Sequence, residues 1–467
     1  MSWNRREVLA SLGVGAAHVL LGCGSTARGP RQPAVYAADV RSWLHDAIAR
    51  LQASGFTHAR ALAVTRTRTA VALDVLGAGV SSARTDGVVL STGSAEYVTT
   101  DLSRAGLQAG VRALVDRYRA PAAMDFGPLP GVPAEPRSLA EYELIDRVTA
   151  LANRDQDLSS RIVYSAALLE LDDAHTWAVA AGRDLEQRVQ RVRKSITRVA
   201  WNGTRPVVSE VSRAWAGEVD AHDLSDEDLA AAREHALALM TPTAFPDGEH
   251  AVALDPSLVA LLVDTAVRTL LTSTAARRPE VATRLAIGRR VASPLLSLVD
   301  DPLVPGAYGG FAFDDRTEPA TRTPRLDGGE IVGVLPPRRR PGHLGPLEPA
   351  PSHLVLAPGR TAAATLLDTG FELEGALSAT VDPSSDRVVI AAARARERKA
   401  NTRTGRIYAD IELVGELGPL LAAVSHVSAE TDTFGMRDEV DERPRFRSVS
   451  APSLRTRGML RARRRPT

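Results

Sequence analysis

Residues 257–277 constrain this chain more than any other stretch, because an apolar run of that length and spacing has to be buried on most sides. Asp255 supplies a capping side chain and Pro256 a first-turn residue, a strong start signal for a helix. Leu258, Leu261, Leu262, Val263, Val267, Leu270 and Leu271 then cover much of the circumference. A helix that is apolar on most faces belongs in a protein interior. Arg268 is the long cation inside that run, and a buried guanidinium needs a partner or a polar cavity. Two readings stay open for it: a structural salt bridge, or a residue lining a vestigial chamber.

Short polar signatures surround this helix in a fixed order. Leu254-Asp255-Pro256 precedes it. Ile287-Gly288, Val299-Asp300-Asp301-Pro302, Pro305-Gly306 and Phe313-Asp314-Asp315 follow, and Leu326-Asp327-Gly328-Gly329-Glu330-Ile331-Val332-Gly333 closes the series. In that order, segment 254–335 resembles the TldD/PmbA family, once called modulators of DNA gyrase. The resemblance is strongest over 285–335 and extends in element order over about residues 40–458. It implies an α+β fold with antiparallel sheets, covering helices and a β-rich C-terminal region. In the catalytic branch of the family the helix carries H-E-x-x-x-H. The matching residues here read Val263-Asp264-Thr265-Ala266-Val267-Arg268, so both histidines are lost and the glutamate has become aspartate.

That loss is hard to repair chemically. A catalytic zinc needs about three protein ligands and an open position for water. Valine has no lone pair to offer, and arginine is a permanent cation that repels a metal. Asp264 could be a weak base, but a water without a metal to acidify it is a poor nucleophile. The resembled family also draws a distant cysteine into its metal site, and the single cysteine here is Cys23. The expectation is no zinc, no other cofactor and no catalytic residue at Val263, Asp264 or Arg268.

Nothing elsewhere in the chain offers a replacement. None of the ten histidines forms a close pair at ligand spacing, and His235, His353 and His426 read as surface or satisfied residues. Asp300, Asp301, Asp314 and Asp315 could ligate calcium or magnesium. Their Pro and Gly neighbours favour turns, where Asp bonds local backbone amides. No G-x-S-x-G elbow is present.

The N-terminus carries a second signal. Arg5-Arg6 stands before a short apolar run, Val8 to Leu21, which ends in Leu20-Leu21-Gly22-Cys23. The run is too short to span a bilayer. It resembles a twin-arginine export signal fused to a lipobox, with Cys23 as the acylated residue. Residues 24–34 would then be a flexible tether. A formal charge of +1 does not favour nucleic acid as a partner. The basic run at 461–465 reads as a solvated, frayed terminus.

Between these signals the chain divides by its proline-rich stretches into an N-terminal α/β unit at 35–130, a central unit at 138–242 and a C-terminal unit at 243–467. In the first, strands are expected at 60–65, 69–76 and 87–90, and helices at 40–51 and 101–118. In the second, Ser138-x-x-Glu141 is a capping box, Asn202-Gly203 suits a hairpin turn, and Ser225 with Asp228 starts a further helix. In the third, extended segments are expected at 371–381, 387–395 and 406–414.

The resemblance implies a two-subunit assembly in which one subunit supplies the zinc and the other completes a peptide-degrading or leader-trimming chamber. By that analogy this chain is a catalytically silent partner, a homodimer or a heterodimer with an H-E-x-x-x-H paralogue. It would be exported to the bacterial cell envelope and lipid-anchored to a membrane. The alternative is a non-enzymatic envelope lipoprotein that binds peptides or acts as a scaffold homodimer. A third reading is a hydrolase of a different mechanism.

Overall fold

The computed structural model describes residues 37–463, except 75–76, 94, 118–138, 155–161, 181, 202–205, 241–242, 315–316, 336–337, 340–345, 348–349 and 441–442. Arg5, Arg6, Cys23, the tether at 24–34, Ser138, Asn202-Gly203 and Asp315 therefore lie outside the described residues.

The first half is built on one six-stranded sheet. Helix α1 (Ala37–Ala53) leads into β1 (Arg60–Asp74), β2 (Gly77–Ser91) and β3 (Glu96–Thr99), followed by helices α2 (Arg104–Arg117) and α3 (Glu141–Arg154). Strands β4 (Ile162–Ala180), β5 (Arg183–Trp201) and β6 (Pro206–Ala216) complete the sheet in the order β3-β2-β1-β4-β5-β6. Two expectations are corrected here. The stretches 60–65 and 69–76 are one continuous strand, because Arg66 and Arg68 sit within the ladder and Arg66 meets Asp172 of β4 at 3.3 Å. The units at 35–130 and 138–242 are not separate either: β1 pairs with β4 from Arg60↔Ala180 to Leu73↔Ala167, so one sheet runs through both. The reason is non-local pairing, which no linker composition reveals.

One face of this sheet is covered by helices. Val40, Leu44, Ile48 and Leu51 of α1 and Leu107, Val111 and Leu114 of α2 pack on Ala61, Ala63, Trp177 and Val179. Further along the same face, Leu144, Val148 and Leu151 of α3 meet Val71, Leu169, Val192 and Ile196. The α3 start differs in detail from the expected box: the Glu143 carboxylate accepts the Ala140 N–H at 2.7 Å. The opposite face carries Leu62, Val89 and Leu185, which pack on Phe313 of the second half.

Helix α4 (Asp226–Ala238) joins the two halves. Its capping box forms as the sequence dictates: Asp228 N donates to Ser225 Oγ, and Ser225 N donates to the Asp228 carboxylate. The buried Arg198 of β5 donates to the Leu229 carbonyl at 2.7 Å.

The second half begins with β7 (Gly248–Leu254), helix α5 (Pro256–Leu270) and the short helix α6 (Pro279–Arg284). Then come β8 (Leu298–Asp300), β9 (Thr323–Asp327), β10 (Glu330–Ile331), β11 (Arg338–Arg339), β12 (Pro346–Leu347) and β13 (His353–Leu356). Next are β14 (Gly370–Val381), β15 (Arg387–Lys399), β16 (Thr402–Glu416), helix α7 (Leu417–Ala422), β17 (His426–Val440) and β18 (Arg443–Ala462). The ladders are mostly antiparallel, with parallel pairs β7–β14 and β13–β18. Because β18 bonds both β16 and β7, the strands β18, β16, β15, β14 and β7 close into a ring. Arg461 belongs to β18 and donates to Glu412 at 2.7 Å, which corrects the expectation of fraying at 461–462, while 464–465 lie outside the described residues. Helix α5 lies against β14, β17 and β18, and Leu258, Val259, Leu262 and Val267 are each at most 1% exposed.

Candidate functional site

The site grows out of the β7–α5 junction. Asp255 caps the helix by accepting from Leu258 N at 2.8 Å, and its second oxygen accepts from Gly375 N at 2.7 Å. One carboxylate thus fixes the helix start to β14. From that start, positions 264 and 268 lie one turn apart on the face turned to the β17–β18 hairpin.

There the two motif residues are locked in an ion-pair ring. Asp264 is fully buried, and its Oδ2 accepts from Arg268 Nε at 2.9 Å. Its Oδ1 accepts from Arg447 Nε of β18, also at 2.9 Å. Arg447 further pairs with Asp438 of β17, and Arg268 Nη1 stands 3.8 Å from the other Asp438 oxygen. Burial works to lower the Arg447 pKa, but the Asp264 and Asp438 carboxylates outweigh it and raise it above the ordinary value. Of the two readings of Arg268, the salt bridge is the one the structure contains. Arg447 and Asp438 could not have been found from sequence, since Arg447 lies 183 residues from its partner Asp264.

The motif positions also fail as a metal site on their geometry. Val263 points away from the ring and, with Ala266, Val267 and Leu270, lines an apolar cavity of about 520 Å³. Asp264 spends both oxygens on guanidinium groups, and a cation would meet two arginines there. Zinc does not fit these residues. Among the described residues, no group of three His, Cys, Asp or Glu is placed to hold a metal ion.

The acidic pairs are framework. Asp300 accepts from Ser352 Oγ at 2.6 Å, Ser352 N at 3.0 Å and His353 N at 3.3 Å. Asp301 accepts from Leu303 N at 3.1 Å, and Asp314 from Glu318 N at 3.0 Å. Asp301 and Asp314 are thus local turn chemistry, but Asp300 corrects the turn expectation: it ends β8, and its partners lie on the β13 segment and, through Arg325 at 3.4 Å, on β9.

Two histidines are buried and satisfied. His235 lies 3.1 Å from Ser209 Oγ and 3.5 Å from Asp410, but Ser209 is 2% exposed and donates to the Ala232 carbonyl. No substrate reaches that serine. His353 is fully enclosed, with Nδ1 2.8 Å from Ser448 Oγ and Nε2 3.2 Å from Ser450 Oγ. Burial holds its pKa below the ordinary 6.5, against the upward pull of Asp300 and Asp301. A depressed histidine pKa contributes stability above 6.5 that is lost as pH falls through the folded value. The urea midpoint of the wild-type chain is therefore expected to drop on acidification below pH 6.5, and His353→Gln to flatten that part of the profile. An unchanged slope in the variant would assign the loss to other groups.

The hairpin has a second side, turned to the first sheet. Arg437 donates to Glu170 at 3.0 Å, and Phe446 lies under the Arg191 guanidinium at 4.4 Å. Arg191 also donates to the Tyr308 carbonyl at 2.8 Å and to the Gly310 carbonyl at 3.1 Å. Burial lowers its pKa to about 10, with nearby Asp172 acting against that. Gln187 and Arg183 grip the Phe313 and Thr317 carbonyls in the same way. The segment containing Phe313-Asp314 is thus a backbone seam between the halves, and the hairpin is wedged between that seam and α5.

Comparison with known proteins agrees with this architecture. Residues 247–462 match the PmbA/TldA metallopeptidase C-terminal domain. A metalloprotease of Synechocystis sp. is 28% identical over 43% of this chain and 41% of its own length. A metalloprotease of Methanothermobacter thermautotrophicus is 21% identical over 47% of each chain. The chain thus spans less than half the length of these curated relatives. Among solved structures, a candidate modulator of a DNA gyrase from Thermotoga maritima aligns with a TM-score of 0.67 at 14% identity, over 90% of this chain and 99% of that one. TldE from Thermococcus kodakarensis aligns with a TM-score of 0.67 at 13% identity, over 90% of this chain and all of that one. At such identity these two likenesses concern the fold alone. The region from β7 to β18 thus belongs to the PmbA/TldA metallopeptidase C-terminal domain family, and the fold over 90% of the chain is that of these neighbours.

Proposed function

We propose that this chain is a catalytically silent subunit of a TldD/TldE-type peptidase, which completes a peptide-processing assembly beside a zinc-bearing H-E-x-x-x-H paralogue. One observation carries the reading: both oxygens of Asp264, at the position of the catalytic glutamate, are held by guanidinium groups at 2.9 Å. The chain keeps the buried helix, its caps and the surrounding frame while lacking every zinc donor on that helix. The fold shared with TldE is compatible with a partner-subunit role, and the missing zinc donors are what set this chain apart from a free-standing peptidase.

Metal analysis and peptide hydrolysis on the purified chain test this together. The expected result is no retained zinc and no cleavage of an unfolded protein such as casein, with or without chelator. Stoichiometric zinc or chelator-sensitive cleavage by the chain alone would sink the proposal. Native isolation is expected to bring down an H-E-x-x-x-H protein. Its consistent absence would turn the reading toward a peptide-binding or scaffold homodimer.

Export and lipid anchoring at the cell envelope are proposed from Arg5-Arg6 and Leu20-Leu21-Gly22-Cys23. Cys23→Ser is expected to move the protein out of the membrane fraction. Recovery of wild-type chain with an unprocessed N-terminus in the soluble fraction would contradict both.

A further inference from the structure

The cavity beside α5 has no part in the ion-pair ring and goes beyond the reading given above. At about 520 Å³ it falls within the size of small-molecule sites, about 300–1,000 Å³. Its wall is aliphatic: Val263, Val267 and Leu270 of α5 face Leu326, Leu356 and Leu454 across it. No aromatic ring lines it, and the polar side chains that reach it are Arg289, Arg290, Ser293 and Asp386. The two arginines are exposed and mark the solvent end. Ile287 and Leu295, at 67% and 50% exposure, extend apolar surface outward from the same segment.

These features select among occupants. Water gains little in an aliphatic chamber, because it needs two to four polar partners. An extended peptide would bring backbone N–H and C=O groups that also need partners, and this wall offers very few. A hydrocarbon chain needs none, and its burial is favourable in proportion to the area covered. Two guanidinium groups at the mouth suit a carboxylate, which arginine holds in paired hydrogen bonds.

We propose that this cavity binds a free long-chain fatty acid, with its alkyl chain along α5 and its carboxylate at Arg289 and Arg290. Val263 stands where the catalytic branch carries a metal-binding histidine, and here it makes that part of the wall apolar.

Calorimetric titration of the full chain with palmitate, below its micelle concentration, tests this directly. Hexadecanol, hexadecyltrimethylammonium and an apolar hexapeptide serve as comparison ligands. Palmitate is expected to bind saturably and roughly tenfold more tightly than hexadecanol, the margin of about one charge-assisted contact. Arg289→Gln with Arg290→Gln, both on the surface, should erase that margin while leaving hexadecanol binding in place. Val263→Trp should weaken both ligands, with circular dichroism checking that the variant is folded. The proposal is overturned by any of three results: no saturable palmitate binding, palmitate binding that the arginine substitutions leave unchanged, or tighter binding of the hexapeptide. None of these measurements depends on zinc, a paralogue or peptide cleavage, so its failure is separable from that of the partner-subunit reading.

Discussion

Asp264→Ala is expected to cost about 3–5 kcal/mol of folding stability, read as a fall in the urea midpoint at unchanged slope. The size follows from what remains after the carboxylate is gone. Arg447 has a side chain only 5% exposed and would keep Asp438 alone as its ion-pair partner, while its Nε would lose its acceptor. A buried charge left without its partner costs far more than the intact pair contributes. Arg268→Ala provides the contrast. That side chain is 36% exposed and Asp264 keeps Arg447, so the loss is smaller, about 1–3 kcal/mol for the one buried oxygen left without a donor. Equal losses in the two variants would mean that the ring is not the asymmetric arrangement described above. The variant pair therefore tests the same geometry that excludes a metal.

Gly309→Ala is expected to destabilise at or beyond the upper end of about 1–3 kcal/mol, the range for overpacking a close contact. A Cβ on Gly309 would stand 1.9 Å from the Ser352 carbonyl oxygen and 2.8 Å from Arg447 Cα. Both are backbone atoms, so no side-chain rotation relieves the clash. Ser352 is held as well, since its carbonyl accepts from Ser448 N at 3.0 Å. Gly309 N itself donates to Ser448 Oγ at 3.1 Å, and a shift of the loop would break that bond too. Gly415→Ala, with nothing within 4 Å of the added carbon, is the control and should change stability by about 0.5 kcal/mol or less. A Gly309→Ala protein as stable as the control would show that the seam between the halves can slide.

What could be read from the chain was what is encoded over a few residues. The Asp255-Pro256 start, the Ser225–Asp228 box and the all-round apolar helix were each set by local chemistry, and the structure has them. The turns at Asp301 and Asp314 followed from neighbouring Pro and Gly, whereas Asp300 is held by Ser352 and His353 of a segment that only the fold brings near. Strand extent was less legible, because Arg66 and Arg68 interrupt the apolar pattern of β1 while their partners lie on β4, about a hundred residues away. The ion-pair ring was half legible. Arg268 declared its need for a partner, but Arg447 and Asp438 reach it only through the β17–β18 register. The apolar cavity had no sequence signal beyond Val263, since its wall is assembled from seven separate segments.

The closed ring of strands imposes an order on biosynthesis. Strand β7 is made early in the second half, yet its antiparallel neighbour comprises residues 454–460 of β18. Helix α5 and Asp264 wait on the same strand, because Arg447 lies on it. A ribosome that has passed residue 300 therefore carries a strongly apolar helix with no wall to rest on. Long-range pairing of this kind is slow and leaves apolar surface exposed in the meantime. The first half has no such debt: its sheet is complete once β6 has been made. The nascent chain is thus expected to present one finished sheet and one unprotected helix to the cell's chaperones until its last strand emerges.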